Sequence, residues 1–300
     1  MTDPQTIATI LAATADRLAA ASESPRLDAE LLVARAIDMP RAYLFAHPED
    51  VLDAAARERL EDSLRRRIAG EPMAYITGTR EFWSLELMVS PATLVPRPET
   101  ELLVELALRE LPRHGGGRVL DLGTGSGAIA VAIASERPNC SVTAVDESSE
   151  ALAVARQNVR HLELGNVRCL CGNWADPVRG ERFDLIVSNP PYVAREDPAL
   201  RALRAEPVSA LVAGIDGLDA IRVLARDCAG IIVPGGLLLI EHGADQEDGV
   251  RAILAANGWE QIDCHRDFAG HPRVTSARLR RDRDRRTVVN SDPHPNSELQ

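Results

Sequence analysis

Asn189-Pro190-Pro191-Tyr192 is the stretch whose residue types define a chemistry most narrowly. Two consecutive prolines fix φ and remove two backbone donors, so the carbonyls of Asn189 and Pro190 face outward with no local N–H to receive. An amide or an exocyclic –NH2 brings two donors. The Asn189 side-chain oxygen and the Pro190 carbonyl can accept both, and Tyr192 offers a face on which a planar amide or base can lie. A second stretch, Asp121-Leu122-Gly123-Thr124-Gly125-Ser126-Gly127, gathers glycines where a strand gives way to a helix. Glycine lets the backbone approach a ligand closely at such a turn. The spacing is GxGxG, with Ala128 where a dinucleotide fingerprint places its last glycine, which disfavours a pyrophosphate cradle. Further on, Asp146 closes an apolar run, the position from which a carboxylate takes both hydroxyls of a ribose. NAD enzymes share that feature, so alone it separates little.

Other polar residues are less specific. Arg97 lies between Pro96 and Pro98, and Glu99 and Glu101 follow in a helix's first turn. This suits a dipole-favoured helix start and equally a role in closing a pocket. His242 ends an apolar run at the same sheet edge and reads as a packed loop histidine before a ligand. Cys140, Cys169, Cys171, Cys228 and Cys264 are an odd number with no CxxC pair, so neither a disulfide framework nor a metal site is expected and a reducing cytoplasm fits.

The elements that must position these groups follow from periodicity. Residues 5 to about 70 read as a small helical bundle, with Ile7, Ile10, Leu11, Thr14 and Leu18, then Leu27, Leu31 and Leu32, then Leu60, Leu64 and Ile68 at helical spacing. Ser24-Pro25 and His47-Pro48 punctuate it. Gly70 closes the last helix after Arg65-Arg66-Arg67, cations that complement the dipole's C-terminal end. From Ala74 to Val95, β-type residues with Gly78 between two short runs predict a hairpin linker. From Arg118 strands and helices alternate: strands over 119–122, 142–145, 167–170, 185–187 and 237–240, and helices from about Ser126, Ser148, Gly217 and Gln246. That pattern predicts an α/β domain with a mostly parallel sheet. Residues 262–264 and 274–279 are two further strands that can pair at the sheet edge. The chain divides into a helical domain (1–72), a hairpin linker (73–96), an α/β domain (97–280) and a charged tail (281–300) read as disordered.

Composition narrows the function classes. The 300 residues are 45% hydrophobic and 26% charged, an ordinary globular mixture. With 34 Lys plus Arg against 45 Asp plus Glu, the net charge is −11, so the surface repels phosphate backbones at long range. Only 3 Trp, 3 Tyr and 4 Phe are available for base stacking. No apolar stretch reaches the ~20 residues of a membrane span, and Met1-Thr2-Asp3-Pro4 has no signal-peptide pattern.

Taken together, Asp121–Gly127, Asp146 and Asn189–Tyr192 resemble the Class I (Rossmann-like) methyltransferases that methylate a planar –NH2 with S-adenosylmethionine. Four more stretches narrow the resemblance to the release factor glutamine methyltransferases, the HemK/PrmC family: Glu71–Gly78, Glu81-Phe82-Trp83, Leu94–Glu101, and Glu206-Pro207 with Ala210-Leu211. The resemblance covers residues 5 to 280. It implies N5-methylation of the glutamine in the Gly-Gly-Gln tripeptide of bacterial-type class I peptide chain release factors, with S-adenosylhomocysteine as by-product. It also implies that Gly123, Thr124, Gly125, Ser126 and Gly127 border the methionine part of the cofactor, Asp146 its ribose and Trp174 its adenine. Asn189 then serves both ligands, and Asn189, Pro190, Pro191 and Tyr192 hold the acceptor, with Asn189, Pro190 and Tyr192 as the catalytic set.

No His or Lys stands in the motif to deprotonate a glutamine amide, so orientation carries the rate and no metal is required. The helical domain selects the partner, because a Gly-Gly-Gln loop is too small to confer specificity. The expected state is a cytoplasmic monomer that makes no direct contact with nucleic acid. Two alternatives stand beside this reading: an N-methyltransferase acting on a base amine or on another protein glutamine, and a cofactor-binding assembly factor without catalysis. The intact Asn189 and glycines give the latter no support.

Overall fold

The structure, a computed structural model, describes residues 6–279; the tail expected over 281–300 lies outside the described residues. Helix α1 (Ile7–Leu18) starts where the Thr6 hydroxyl accepts the Thr9 N–H, and α4 (Ala54–Ile68) where Asp53 accepts from Ala56. Between them run α2 (Pro25–Ile37) and α3 (Arg41–Ala46). Their apolar stripes meet in one cluster that includes Leu11, Leu18, Leu32, Leu44, Leu60 and Leu64, which is the bundle the periodicity predicts. Gly70 ends α4 at φ +91°, a conformation that suits glycine, and Arg66 grips Glu71 through two bonds of 2.8 and 2.5 Å.

The linker departs from expectation in one respect. Gly78 is not the turn of the hairpin. It is the left-handed C-cap of a short helix, α5 (Met73–Thr77). Strands β1 (Thr79–Phe82) and β2 (Leu85–Met88) are joined at Trp83-Ser84, both at positive φ, +54° and +56°. That twist matches a two-residue hairpin, but the residue types hide it from sequence reasoning, which expects glycine or asparagine there. Trp83 is tied down by its own N–H, which donates to Glu101 Oε1 at 2.9 Å.

The α/β part is a seven-stranded sheet of β3 (Arg118–Leu122), β4 (Ser141–Asp146), β5 (Val167–Cys171), β6 (Phe183–Ser188), β7 (Ile232–Glu241), β8 (Trp259–Arg266) and β9 (Pro272–Leu279). Their order is β5-β4-β3-β6-β7-β9-β8. The first five are parallel, and β9 runs antiparallel to both neighbours; the two closing strands pair at the sheet edge, as the sequence predicts. Central strands such as β3 and β6 are buried on both faces, hence their unbroken apolar runs. One core layer sits under α6 (Glu101–Glu110) and α7 (Ala128–Glu136), with Val159 of α8 (Ser149–His161) against it. The other lies under α9 (Asp219–Cys228) and α10 (Glu247–Ala256). The chain reverses its direction of winding between β3 and β6, so the carboxyl ends of those strands flank a crevice, the place where open α/β sheets bind ligands.

Candidate active site

That crevice holds a cavity of about 480 Å³. Its floor is the turn after β3. Gly123, Gly125 and Gly127 all sit at positive φ, +73°, +56° and +83°, yet they serve different ends. A Cβ on Gly125 would meet nothing within 4 Å, so its open side faces the cavity. A Cβ on Gly127 would come within 3.2 Å of Ala155 Cβ, so this glycine lets α7 start close against α8 and does not line the cavity. Gly123 and Thr124 both donate to the Val145 carbonyl at 2.9 and 3.0 Å, fixing the turn to the next strand. Thr124 and Ser126 also line the cavity.

Asp146, at the end of β4, spends one oxygen on the Gly125 N–H (2.8 Å) and the other on the Ser148 N–H (2.9 Å). Each carboxylate oxygen keeps a further lone pair for a hydroxyl. Trp174, at φ +41°, closes the same side of the cavity, and its ring edge stands 3.7 Å from the Cβ position of Gly123. Beneath the turn lies Asp121, fully buried. Burial pushes its pKa up to about 7, and the Thr124 hydroxyl, donating at 2.6 Å, only partly offsets this.

The opposite wall is assembled from distant segments. The Ser188 hydroxyl donates to the Leu122 carbonyl at 2.7 Å and locks the ends of β6 and β3 together. Asn189 comes next. Its Nδ2 donates to the Thr100 hydroxyl oxygen at 3.1 Å, which leaves Oδ1 as the free end of the amide. Among the described residues no hydrogen bond reaches Asn189 Oδ1 or the Pro190 carbonyl. Asn189 and Pro191 line the cavity; Pro190 and Tyr192 do not. Tyr192 instead donates its hydroxyl to Glu241 Oε1 at 3.3 Å, and its carbonyl receives the Gln246 side-chain N–H at 3.0 Å. Burial raises the Tyr192 pKa well above its ordinary value.

Three contacts were not legible from the sequence. Glu206 is buried, accepts the Val95 N–H at 3.0 Å and pairs with Arg97. The Arg97–Glu206 pair thus ties the segment after Asn189–Tyr192 to the 92–96 strip of the cavity wall. Asn158 of α8, buried, accepts from Met88 N–H at 2.7 Å and donates to the Ser126 carbonyl at 2.8 Å, joining the hairpin to the glycine turn. Thr100 anchors Asn189. Glu99 and Glu101 stand at the start of α6, the latter already committed to Trp83. His242 is packed: its two ring nitrogens meet the Gly243 carbonyl and the Thr275 hydroxyl, each at 2.8 Å, and burial lowers its pKa.

A sheet of this order, with a glycine turn and a ribose-competent carboxylate at its switch point and an acceptor-rich lip opposite, defines a Class I methyltransferase. Two solved structures share the fold: a methyltransferase from Pyrococcus furiosus (TM-score 0.52, 20% identity, 74% of this chain and 99% of that one) and the T. thermophilus 16S rRNA N2 G1207 methyltransferase in complex with AdoMet and guanosine (TM-score 0.52, 20% identity, 67% and 50%).

Family models narrow the class, with the PrmC N-terminal domain matching residues 9–78 and the methyltransferase small domain residues 99–211. Release factor glutamine methyltransferases from Salmonella typhimurium (48% identical, 86% of this chain, 94% of the relative), Xylella fastidiosa strain Temecula1 (49%, 87% and 96%) and Escherichia coli K12 (45%, 86% and 94%) align along nearly their whole length. The chain belongs to the release factor glutamine methyltransferase family, and it is an enzyme whose methyl donor is S-adenosylmethionine. The open face at Gly125, the spare lone pairs of Asp146 and the Trp174 edge fit such a donor. Among the described residues no helix is long and apolar enough to cross a membrane.

Proposed function

We propose that this enzyme methylates the side-chain amide nitrogen (N5) of the glutamine in the Gly-Gly-Gln motif of class I peptide chain release factors. The names of its relatives support a release factor glutamine as target. The observation that carries the finer reading is the anchoring of Asn189. With Nδ2 committed to Thr100, the free Oδ1 of cavity-lining Asn189 is one acceptor for a primary amide, and the Pro190 carbonyl, which receives no other hydrogen bond although Pro190 does not itself line the cavity, is the second. Gly123, Thr124, Gly125 and Ser126 with Asp146 and Trp174 hold the donor, Gly127 serving the packing of α7 against α8, and Asn189 stands between donor and acceptor. The bound donor supplies an activated sulfonium methyl.

The protein's part is orientation. Two hydrogen bonds hold the amide nitrogen in line with the methyl and strengthen as positive charge develops on that nitrogen, and positioning of this kind supplies on the order of 7–11 kcal/mol. The methyl forms its bond to nitrogen while the C–S electron pair stays on sulfur, and the nitrogen then sheds one N–H proton to solvent. Pro191 lines the acceptor end, while Tyr192 supports it from behind through Glu241. Residues 1–72 select the protein partner, 73–96 link, and 97–280 carry the transfer; the enzyme works as a monomer in the cytoplasm. Incubation with labelled donor and either a release factor or stripped nucleic acid, followed by mass spectrometry, tests the reading: label on the Gly-Gly-Gln glutamine supports it, and label on a base or on another side chain overturns it.

A further inference from the structure

Behind the acceptor wall lies a group that the transfer itself does not use. Glu241, at the end of β7, is buried and does not line the cavity. Its Oε1 accepts the Tyr192 hydroxyl, but its Oε2 has no hydrogen-bond partner among the described residues, an expensive state for a buried oxygen. The Thr100 hydroxyl stands near enough to this carboxyl to hold its pKa down, although no hydrogen bond joins the two in this structure. That hydroxyl oxygen accepts from Asn189 Nδ2 and donates to no other described group, so a donor in need of an acceptor stands beside an acceptor in need of a donor. We propose that Glu241 is a positioning residue which, through the Thr100 hydroxyl, keeps Asn189 Oδ1 turned toward the acceptor amide. The inference rests on the reading of Asn189 given above.

The direction of the chain follows from proton inventory. When Glu241 is ionised it can only accept, so Thr100 donates to it, its oxygen accepts from Asn189 Nδ2, and Oδ1 faces the cavity. When Glu241 is protonated it can donate to Thr100. The Thr100 proton then points to Asn189, whose amide is best satisfied by turning Oδ1 inward and an N–H toward the substrate –NH2. Two donors would then oppose each other. The other groups around this carboxyl are Arg273 of β9, which holds its pKa down, and Glu99 beside Thr100, which pushes it up; Arg273 is shared with Asp267 at 3.4 Å. The neighbouring His242 is turned away toward Thr275. Burial outweighs these and places the transition at about 7.

The test is the rate of release factor methylation by the full chain from about pH 5.5 to 9, read as kcat and as KM for S-adenosylmethionine. Wild type is expected to gain kcat as pH rises through about 7 and then level off. Thr100→Val and Glu241→Met, which break the chain, are expected to lose about tenfold in kcat with the donor KM unchanged, and Thr100→Ser to restore the rate. Glu241→Gln keeps an acceptor for Thr100 but cannot titrate, so its rate is retained and its acid limb disappears. Should Glu241→Met fail to fold, the Glu241→Gln profile still decides. An acid limb unchanged in Glu241→Gln, or full kcat in Thr100→Val, overturns the proposal. Asn189→Ala run alongside separates the two layers: if it is inactive while those variants behave as wild type, only the positioning role fails, and if it is fully active, the reading of Asn189 fails with it.

Discussion

The two walls of one cavity are built by opposite strategies. The donor wall comes from a single β-turn-α unit and the end of the adjacent strand, and its bonds are mostly backbone: Gly123 and Thr124 to Val145, Gly125 to Asp146. The acceptor wall is held by side chains far apart in sequence, with Thr100 against Asn189, Tyr192 against Glu241 and Glu206 against Val95 and Arg97. Backbone geometry suffices to cradle a cofactor. Presenting two acceptors to a weakly nucleophilic amide, as proposed for Asn189 and Pro190, takes a buried polar network in which each member fixes the next.

The contrast breaks most readily at Asn189. Alanine there removes a preorganised acceptor from the transition state, and by analogy with deleting one oxyanion-hole donor kcat should fall by about 10²–10³, with donor affinity measured calorimetrically changed far less. Asn189→Asp keeps an acceptor and adds charge; it should retain part of the activity, unless an Asn189 N–H also anchors the donor, in which case binding falls too.

The two buried carboxyls predict how stability follows pH. Burial pushes Asp121 and Glu241 each up to about 7, so the folded chain holds these protons more tightly than the unfolded chain. The stability they contribute is fully present below their unfolded values and is lost as pH rises through about 7. For Glu241 alone this is about 3 kcal/mol between acid and alkaline limits. Thermal melts should therefore show wild type losing stability between about pH 5 and 8 and Glu241→Gln losing less; parallel curves would contradict the burial argument.

The clamp on the acceptor wall comes next in size. Glu206→Ala leaves the Val95 N–H and the Arg97 guanidinium without their partner and should cost about 2 kcal/mol in a denaturant titration, the half-exposed side of Arg97 limiting the loss.

On the donor wall, Asp146→Ala should weaken S-adenosylmethionine binding by about tenfold while kcat at saturating donor stays within a small factor. An equal fall in kcat would mean that the two walls are not separable.

The same contrast explains what could be read in advance. The mostly parallel sheet follows from alternating apolar runs and helices, and the glycine turn and Asp146 follow from local spacing, because each depends on neighbours in the chain. The hairpin turn was misplaced because Gly78, a strong turn residue, serves a helix end, while Trp83-Ser84 adopts left-handed backbone without a residue that advertises it. Thr100 and Glu206 lie within stretches that carry the family resemblance, but nothing local gave the contacts of Thr100, Asn158, Glu206 and Glu241. Their roles exist only once the fold brings residues separated by 49 to 111 positions together. His242, by contrast, has the residue type of a catalytic group and none of the access.

The most direct measurement is mass spectrometric mapping of a release factor after incubation with labelled S-adenosylmethionine and either the wild-type enzyme or its Asn189→Ala variant. Label confined to the Gly-Gly-Gln glutamine side chain with wild type, and lost at equal donor occupancy with the variant, is the predicted result; label elsewhere, or undiminished labelling by the variant, would contradict the account.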